Sequence, residues 1–261
     1  MRWLCDECEQ RLSDAERPFA ESIFAPVHQD AFDGSPISYG PWGHYFAVSV
    51  SWRSLLWFVE TAPASHLKPS DQKRAGEALS VWGAYLLGKR SDVGRFAQHA
   101  MPCGSPTSAP GAHVFISRYF ERTSQIDVIA SQDSCVVYSK MARIIVFGIL
   151  RADQPSEWRG GRVHLLRGTF GGAVTYRLPP WMPSYWNTQA ASYAVAIDSL
   201  SPRQTDKVAQ LKSSSDPDVL ANSAAFRAFK SDYELFGDAV FPDEASPTDA
   251  AQAVEGDGRP Q

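Results

Sequence analysis

The stretch Cys135-Val136-Val137-Tyr138-Ser139-Lys140-Met141-Ala142-Arg143-Ile144-Ile145-Val146-Phe147-Gly148-Ile149-Leu150 decides the architecture. Val and Ile branch at Cβ, which suits them to a pleated, packed surface better than to a helix. The run is too long for one ordinary strand, so it reads as two strands, or one long bent strand, turning near Lys140. His113 to Arg118 and Ile126 to Ser131 read as strands before it. After it, Trp158-Arg159-Gly160-Gly161 reads as a turn into a strand over Arg162 to Arg167. Gly168 to Gly172 then reads as a β-turn and Val174 to Leu178 as a further strand. Short strands divided by glycine turns predict an antiparallel sheet.

Helical patterns flank this region on both sides. Ser13 and Glu16 have capping-box spacing, with Pro18 tolerated in the first turns and an apolar stripe of Phe19, Ile23 and Phe24 ending near Pro26. A loop is expected over 28–41. From about Trp42 to Thr61 nearly every position is apolar, the pattern of a central helix. A third helix is expected from Ser70, as its cap, to Lys89, with Ala75, Leu79, Trp82 and Leu86 on its buried face and a stop at Gly88-Lys89-Arg90. Residues 102–112 read as a linker. Beyond Pro179-Pro180, helices are expected over Pro183 to Ser199, from Ser201-Pro202 to Leu211, and over Val219 to Phe229. Pro242 to Gln261 lacks aromatics and is rich in Ala, Asp, Glu, Gly and Pro, so disorder is expected there. The expected organisation is α+β: a partial Cys knuckle with a capped helix (1–26), a helical region (27–101), an antiparallel β region (113–178), C-terminal helices (179–241) and a tail (242–261).

The chain has 261 residues, 44% hydrophobic and 21% charged, the composition of an ordinary globular protein. A net charge of −4 does not favour nucleic acid or anionic membrane through bulk electrostatics. Charge is unevenly placed, however. Arg118 to Arg177 holds nine Lys/Arg against five Asp/Glu, and from Asp198 onward the balance is twelve acidic to six basic. No apolar run reaches the ~18–20 residues of a membrane span. Four cysteines without a secretory signal do not make a disulfide framework, and a cytoplasmic location is expected.

Cys5 and Cys8, in Cys5-Asp6-Glu7-Cys8, are the sharpest chemical signal, because two thiolates at this spacing can grip one Zn²⁺. They supply two of four ligands, so the expectation is a structural zinc site that is incomplete. His99 and Cys103 are one internal way to complete it. No GxSxG, HExxH, P-loop or GxGxxG pattern names a reaction, and no catalytic residue is assigned. His164 reads as structural. Arg53, inside an apolar helix, is expected to snorkel to solvent or to pair with a carboxylate such as Glu16, Glu21 or one in the C-terminal helices. It reads as a structural charge, with anion or substrate binding the alternative. Arg143, Arg159, Arg162 and Arg167 are the candidate nucleic-acid contacts. Trp42, Trp52, Trp57 and Trp82 could instead line a small-molecule or peptide site, though core packing explains them too.

Taken in order, several short motifs resemble a family of uncharacterised bacterial proteins with an N-terminal Cys knuckle. They are Leu4-Cys5-Asp6-Glu7-Cys8-Glu9 with Leu12-Ser13 and Glu16; Ser49-Val50-Ser51-Trp52-Arg53; Tyr138-Ser139-Lys140-Met141; and Trp158-Arg159-Gly160. Further on come Leu200-Ser201-Pro202-Arg203-Gln204, Asn222-Ser223, Asp232 and Leu235-Phe236-Gly237. That layout is similar to HNH endonucleases, in which two CxxC knuckles bind zinc and histidines hold the catalytic metal. The resemblance implies that Cys5 and Cys8 match the second knuckle, with Glu9 where Asn is usual. The first knuckle and the histidine segment have no counterpart in this sequence. The expected function is a non-catalytic binding module associated with nucleic acid; the alternative is a metal-dependent endonuclease whose catalytic half is missing from this chain.

Overall fold

Antiparallel pairing of β4 (Ser134–Met141) with β5 (Ile144–Ala152) forms the centre of the larger sheet. Seven consecutive residues of each are buried, the mark of strands covered on both faces. The chain turns at Ala142-Arg143, two residues later than expected, and Ala142 takes a left-handed φ of 47°. Lys140 stays in the strand because its ammonium has partners inside: Nζ donates to the carbonyls of Phe120 (2.9 Å), Thr123 (3.0 Å) and Ala142 (2.7 Å). In this computed structural model, residues 5–29, 32, 34–61, 67–104, 106, 108, 110–172 and 174–241 are described; the expected disordered tail, Pro242 to Gln261, lies outside them.

The described residues run α1 (Asp6–Phe19), a π-turn (Ala20–Phe24), α2 (Ala25–His28), β1 (Ile37–Tyr39), α3 (Pro41–Thr61), α4 (Pro69–Leu86), β2 (Gln98–Pro102), α5 (Ile116–Arg122), β3 (Ser124–Ala130), β4, β5, β6 (Gly168–Phe170), α6 (Met182–Asp198), α7 (Pro202–Ser214), α8 (Pro217–Ala221) and α9 (Ala224–Phe236). The larger sheet has the order β2-β5-β4-β3, and β1 pairs with β6 in a second sheet. This is the α+β architecture the pattern implies: N-terminal helices, an antiparallel sheet and C-terminal helices. Two compact units divide the chain, one of Met1–Gly104 with Phe120–Tyr185 and one of Ser105–Tyr119 with Trp186–Gln261.

In the first unit, α3 lies across the larger sheet with small side chains at the contact. Ser51 Oγ donates to Gln98 Oε1 (2.7 Å), and Ser54 Oγ meets Ser139 Oγ (2.9 Å). Gly148 is where the approach is tightest. A Cβ there would fall 2.7 Å from the Trp82 ring of α4 and 2.8 Å from Ser51 Cβ of α3. The apolar core gathers around this point, with Val48, Leu55, Ala78, Trp82, Val137 and Leu150 all buried. A second cluster joins Phe19, Ile23, Val27, Phe46, Ile144 and Val146 to Tyr39 and Phe170 of the small sheet.

Several local expectations give way to tertiary contacts. The first helix begins at Cys5 as N-cap, so Ser13 is interior and exposed rather than a cap. Pro18 sits inside that helix, and the π-turn follows at once, since proline offers no N–H to the ladder. Ser70 does not cap α4, which starts after Lys68 with Pro69 in its first turn. His113 to Arg118 is not a strand: the N–H groups of Ser117 (2.7 Å) and Arg118 (3.3 Å) are taken by the Asp232 carboxylate, a distant acid that satisfies the start of α5. Arg162 to Arg167 and Val174 to Leu178 form only isolated bridges, His99 with Arg162 and Arg159 with Arg177. The expected turn at Gly168 instead contains β6, where the Tyr39 ring fills the space a side chain on Gly168 would need. β1 and β2 fall where no strand was expected. The single helix expected over Val219 to Phe229 is two, because Ser223 caps α9 through the Phe226 N–H (3.2 Å).

In the second unit, Asp232 is fully buried and also accepts Arg118 Nε at 2.8 Å, while the Arg118 guanidinium lies over the Phe115 ring at 3.7 Å. Ser201 is the N-cap of α7 as expected, and Gln204 completes a capping box with it.

Two substitutions test this packing. Gly148→Ala should lower stability by about 1–3 kcal/mol through overpacking, read as a lower urea midpoint with an unchanged slope. Asp232→Ala should cost about 3–5 kcal/mol by stranding a mostly buried guanidinium and two amides, read the same way.

Candidate functional site

The segment after β5 closes the free edge of β2. Ala100 N–H donates to Gly161 O (2.7 Å) and Val163 N–H to Gln98 O (2.9 Å). Gly160, at φ 82°, makes the bend, and a Cβ there would lie 2.7 Å from Thr175 O. Just before the bend, Arg159 N–H donates to Arg177 O (3.2 Å) and Arg177 N–H to Arg159 O (3.1 Å). Two residues that exchange both backbone bonds stand directly opposite, with Cα atoms ~5.5 Å apart and side chains on one face. Like charges placed so are ordinarily destabilising.

Among the described residues no side chain relieves that repulsion. Arg159, Arg162, Arg167 and Arg177 are exposed, and among the described residues none of their side chains makes an ion pair or hydrogen bond. From Trp158 to Ile197 the sequence contains no Asp or Glu. Arg159 and Arg177 also border, with His99 and Tyr176, a cavity of about 10 Å³.

Arg143 does not join this group. It occupies the β4–β5 turn, where its backbone N–H donates to His28 Nε2 (3.2 Å), its Nε is enclosed, and its carbonyl accepts from Cys103 N–H (2.8 Å). Cys103 lies four residues along the chain from His99, or about 13 Å in extended chain. Arg53 pairs with Glu16 Oε1 at 2.6 Å, one of the carboxylates named for it from the sequence. His164 is exposed, and its backbone N–H donates to the Tyr39 hydroxyl (3.0 Å). The residue that sequence reasoning left out is Arg177. The absence of carboxylates around it was legible; its register opposite Arg159 was not.

Cys5 and Cys8 do come together. Their sulfurs are hydrogen-bonded at 3.2 Å, and Cys5 Sγ also accepts the Cys8 N–H at 3.4 Å. The hydrogen bond shared with the Cys8 side chain, then that from its amide, holds the Cys5 thiol below its usual range. The same shared bond, with burial, raises Cys8. Two sulfurs on one tetrahedral zinc stand ~3.8 Å apart, so the pair suits one face of such a site. Among the described residues no three His, Cys, Asp or Glu side chains converge as a metal cage, so the other ligands would come from elsewhere. His99 and Cys103 do not supply them. The His99 ring packs on Trp158 (centroids 5.7 Å apart), and the Cys103 thiol, pushed up to about 11 by burial, points at the carbonyls of Phe120 and Ala142.

Beside the thiols lies an apolar cavity of about 230 Å³ lined by Leu12, Tyr45, Trp52 and Leu86. An open groove of about 490 Å³ past Trp42, Tyr45 and Tyr85 shares Arg11, Tyr45 and Leu86 with it. Trp82 is fully buried core and Trp57 is exposed. No helix among the described residues is long and apolar enough to cross a membrane. No protein-family model, curated protein or solved structure matches the chain.

Two buried histidines, His44 and His99, adjoin the arginine segment. Burial first, then repulsion from Arg162 and His164, lowers each from 6.5 to about 4. The unfolded chain therefore binds more protons between those values. Their stabilisation is complete above about pH 6.5 and is lost as pH falls toward 4. The urea midpoint should fall from pH 6.5 to 5, at up to ~1.4 kcal/mol per pH unit for each histidine, and His99→Gln should flatten that slope.

Proposed function

We propose that this protein is a non-catalytic binding module that holds the phosphodiester backbone of a nucleic acid on the surface of Arg159, Arg162, Arg167 and Arg177. The observation that carries this reading is the Arg159–Arg177 pair, held side by side by backbone register in a stretch free of carboxylates. Its repulsion becomes favourable only when an anion lies between the guanidiniums, and a planar, fork-shaped donor matches phosphate oxygens. The likeness of the Cys5–Cys8 segment to the second knuckle of HNH endonucleases points to the same class of ligand. With a net charge of −4, affinity would come from this local surface rather than from the whole chain.

A second reading rests on the groove past Trp42, Tyr45 and Tyr85, whose aromatic lining and open mouth suit a flat small molecule or peptide side chain. It has no charge or register peculiarity comparable to the arginine pair.

Fluorescence anisotropy with labelled single- and double-stranded oligonucleotides tests the proposal. Four phosphate contacts give a duplex log–log salt slope of about −3.6, or ~10²-fold weaker binding from 50 to 200 mM salt. Arg159→Ala/Arg177→Ala should reduce the slope by about 2. Binding that is absent at 50 mM salt, or indifferent to salt, would sink the proposal.

A further inference from the structure

The thiol pair carries chemistry that the arginine surface does not use. Cys5 is exposed, its sulfur lies 3.2 Å from that of Cys8, and both border a cavity of about 230 Å³. Cys5 caps α1, so the first amides of that helix face its sulfur, and one of them, on Cys8, already donates to it. Amides at a helix start stabilise negative charge on an acceptor placed there. The remaining cysteines provide a contrast: Cys135 is buried in the sheet, and the Cys103 thiol is turned toward two backbone carbonyls.

We propose that Cys5 and Cys8 form a redox-active dithiol that exchanges with low-molecular-weight disulfides, Cys5 acting as the attacking thiol and Cys8 as the resolving one. The Cys5 sulfur, having lost its proton to solvent, attacks one sulfur of the disulfide RSSR. An S–S bond forms between Cys5 and RS, and the other half leaves as thiolate and takes up a proton. The Cys8 sulfur, once deprotonated, then attacks Cys5 Sγ; the Cys5–Cys8 bond forms and the second RSH departs. The chain loses two electrons and two protons, and the disulfide gains both. The neighbouring cavity gives room for the group carried on Cys5 between the two steps. The closeness of the sulfurs makes the second step intramolecular, which is why it outruns attack by external thiol.

The test treats the full chain with oxidised glutathione, with and without a chelator, and maps thiols by mass spectrometry after alkylation. The expected product is a Cys5–Cys8 disulfide two hydrogens lighter than the reduced chain, with no glutathione retained and with Cys103 and Cys135 still reduced. Cys8→Ser should trap glutathione on Cys5, with release slowed by at least ~10²-fold. Cys5→Ser should form no comparable adduct at Cys8 on the same timescale. Stable glutathione adducts on both Cys5 and Cys8 of the unsubstituted chain, disulfides between chains in place of the internal one, or two thiols that alkylate freely yet never couple after chelation would each overturn the proposal. Oligonucleotide binding is read separately, so failure here leaves the arginine surface untouched, and the converse also holds.

Discussion

The close approach at Gly148 is the constraint on which the first unit depends. The central strand must offer no side chain at this position, because the Trp82 ring and Ser51 occupy that space from two different helices. Once they do, α3 and α4 are both held against the same strand. The buried polar groups at the seam must then find partners within it. Ser51 meets Gln98 and Ser54 meets Ser139, so the seam is fastened by hydrogen bonds between side chains too short to hold the helix away. A sheet packed so closely behaves as a rigid platform, and what hangs from its β2 edge inherits that rigidity.

Three buried or mostly buried cations among the described residues, Lys140, Arg151 and Arg118, are held by backbone or carboxylate partners. Lys140 is spent on three carbonyls around the β4–β5 turn, with burial lowering it to about 8. Arg151 lies on buried Asp71 at 3.0 Å, and Arg118 on buried Asp232. Arg53 pairs with Glu16 and Arg95 with Glu77, while Arg74 and Arg122 make no ion pair among the described residues. Among the described residues Arg159, Arg162, Arg167 and Arg177 make none either, and what sets them apart is that Arg159 and Arg177 are held directly opposite each other. That register, more than the number of arginines, is what the proposed anionic ligand rests on.

The short motifs that carry the family resemblance have structural duties here. Ser51, Trp52 and Arg53 bond to Gln98, the Leu79 carbonyl and Glu16. Ser139 and Lys140 bond within the first unit, Ser201 and Ser223 cap helices, Asp232 holds the start of α5, and Gly237 ends α9 at φ 60°. Each of these residues satisfies a polar group or relieves a strained backbone, a structural use that requires no reaction.

Period and punctuation in the sequence were enough for the fold class, for α3, α6 and α7 to within a residue or a few, for β3, and for two strands in Cys135 to Leu150, since these depend on local patterning and covalent geometry. That a carboxylate could pair with Arg53 was legible too, because a charge on an apolar helix needs compensation, but the choice of Glu16 among the candidates came from the tertiary structure. Long-range contacts settled the rest. α5 is helical where strand propensity ran high because Asp232, more than a hundred residues away, takes its first amides. Three-residue β1 and β6 are too short to show a period and exist through each other. Lys140 looked like a turn residue until the distant carbonyls of Phe120 and Thr123, with that of nearby Ala142, gave its charge an interior place. The sequence held all four arginines and both terminal cysteines, but which of them stand side by side is a matter of register and helix start. Those are set by pairing across the chain, which residue order does not encode locally.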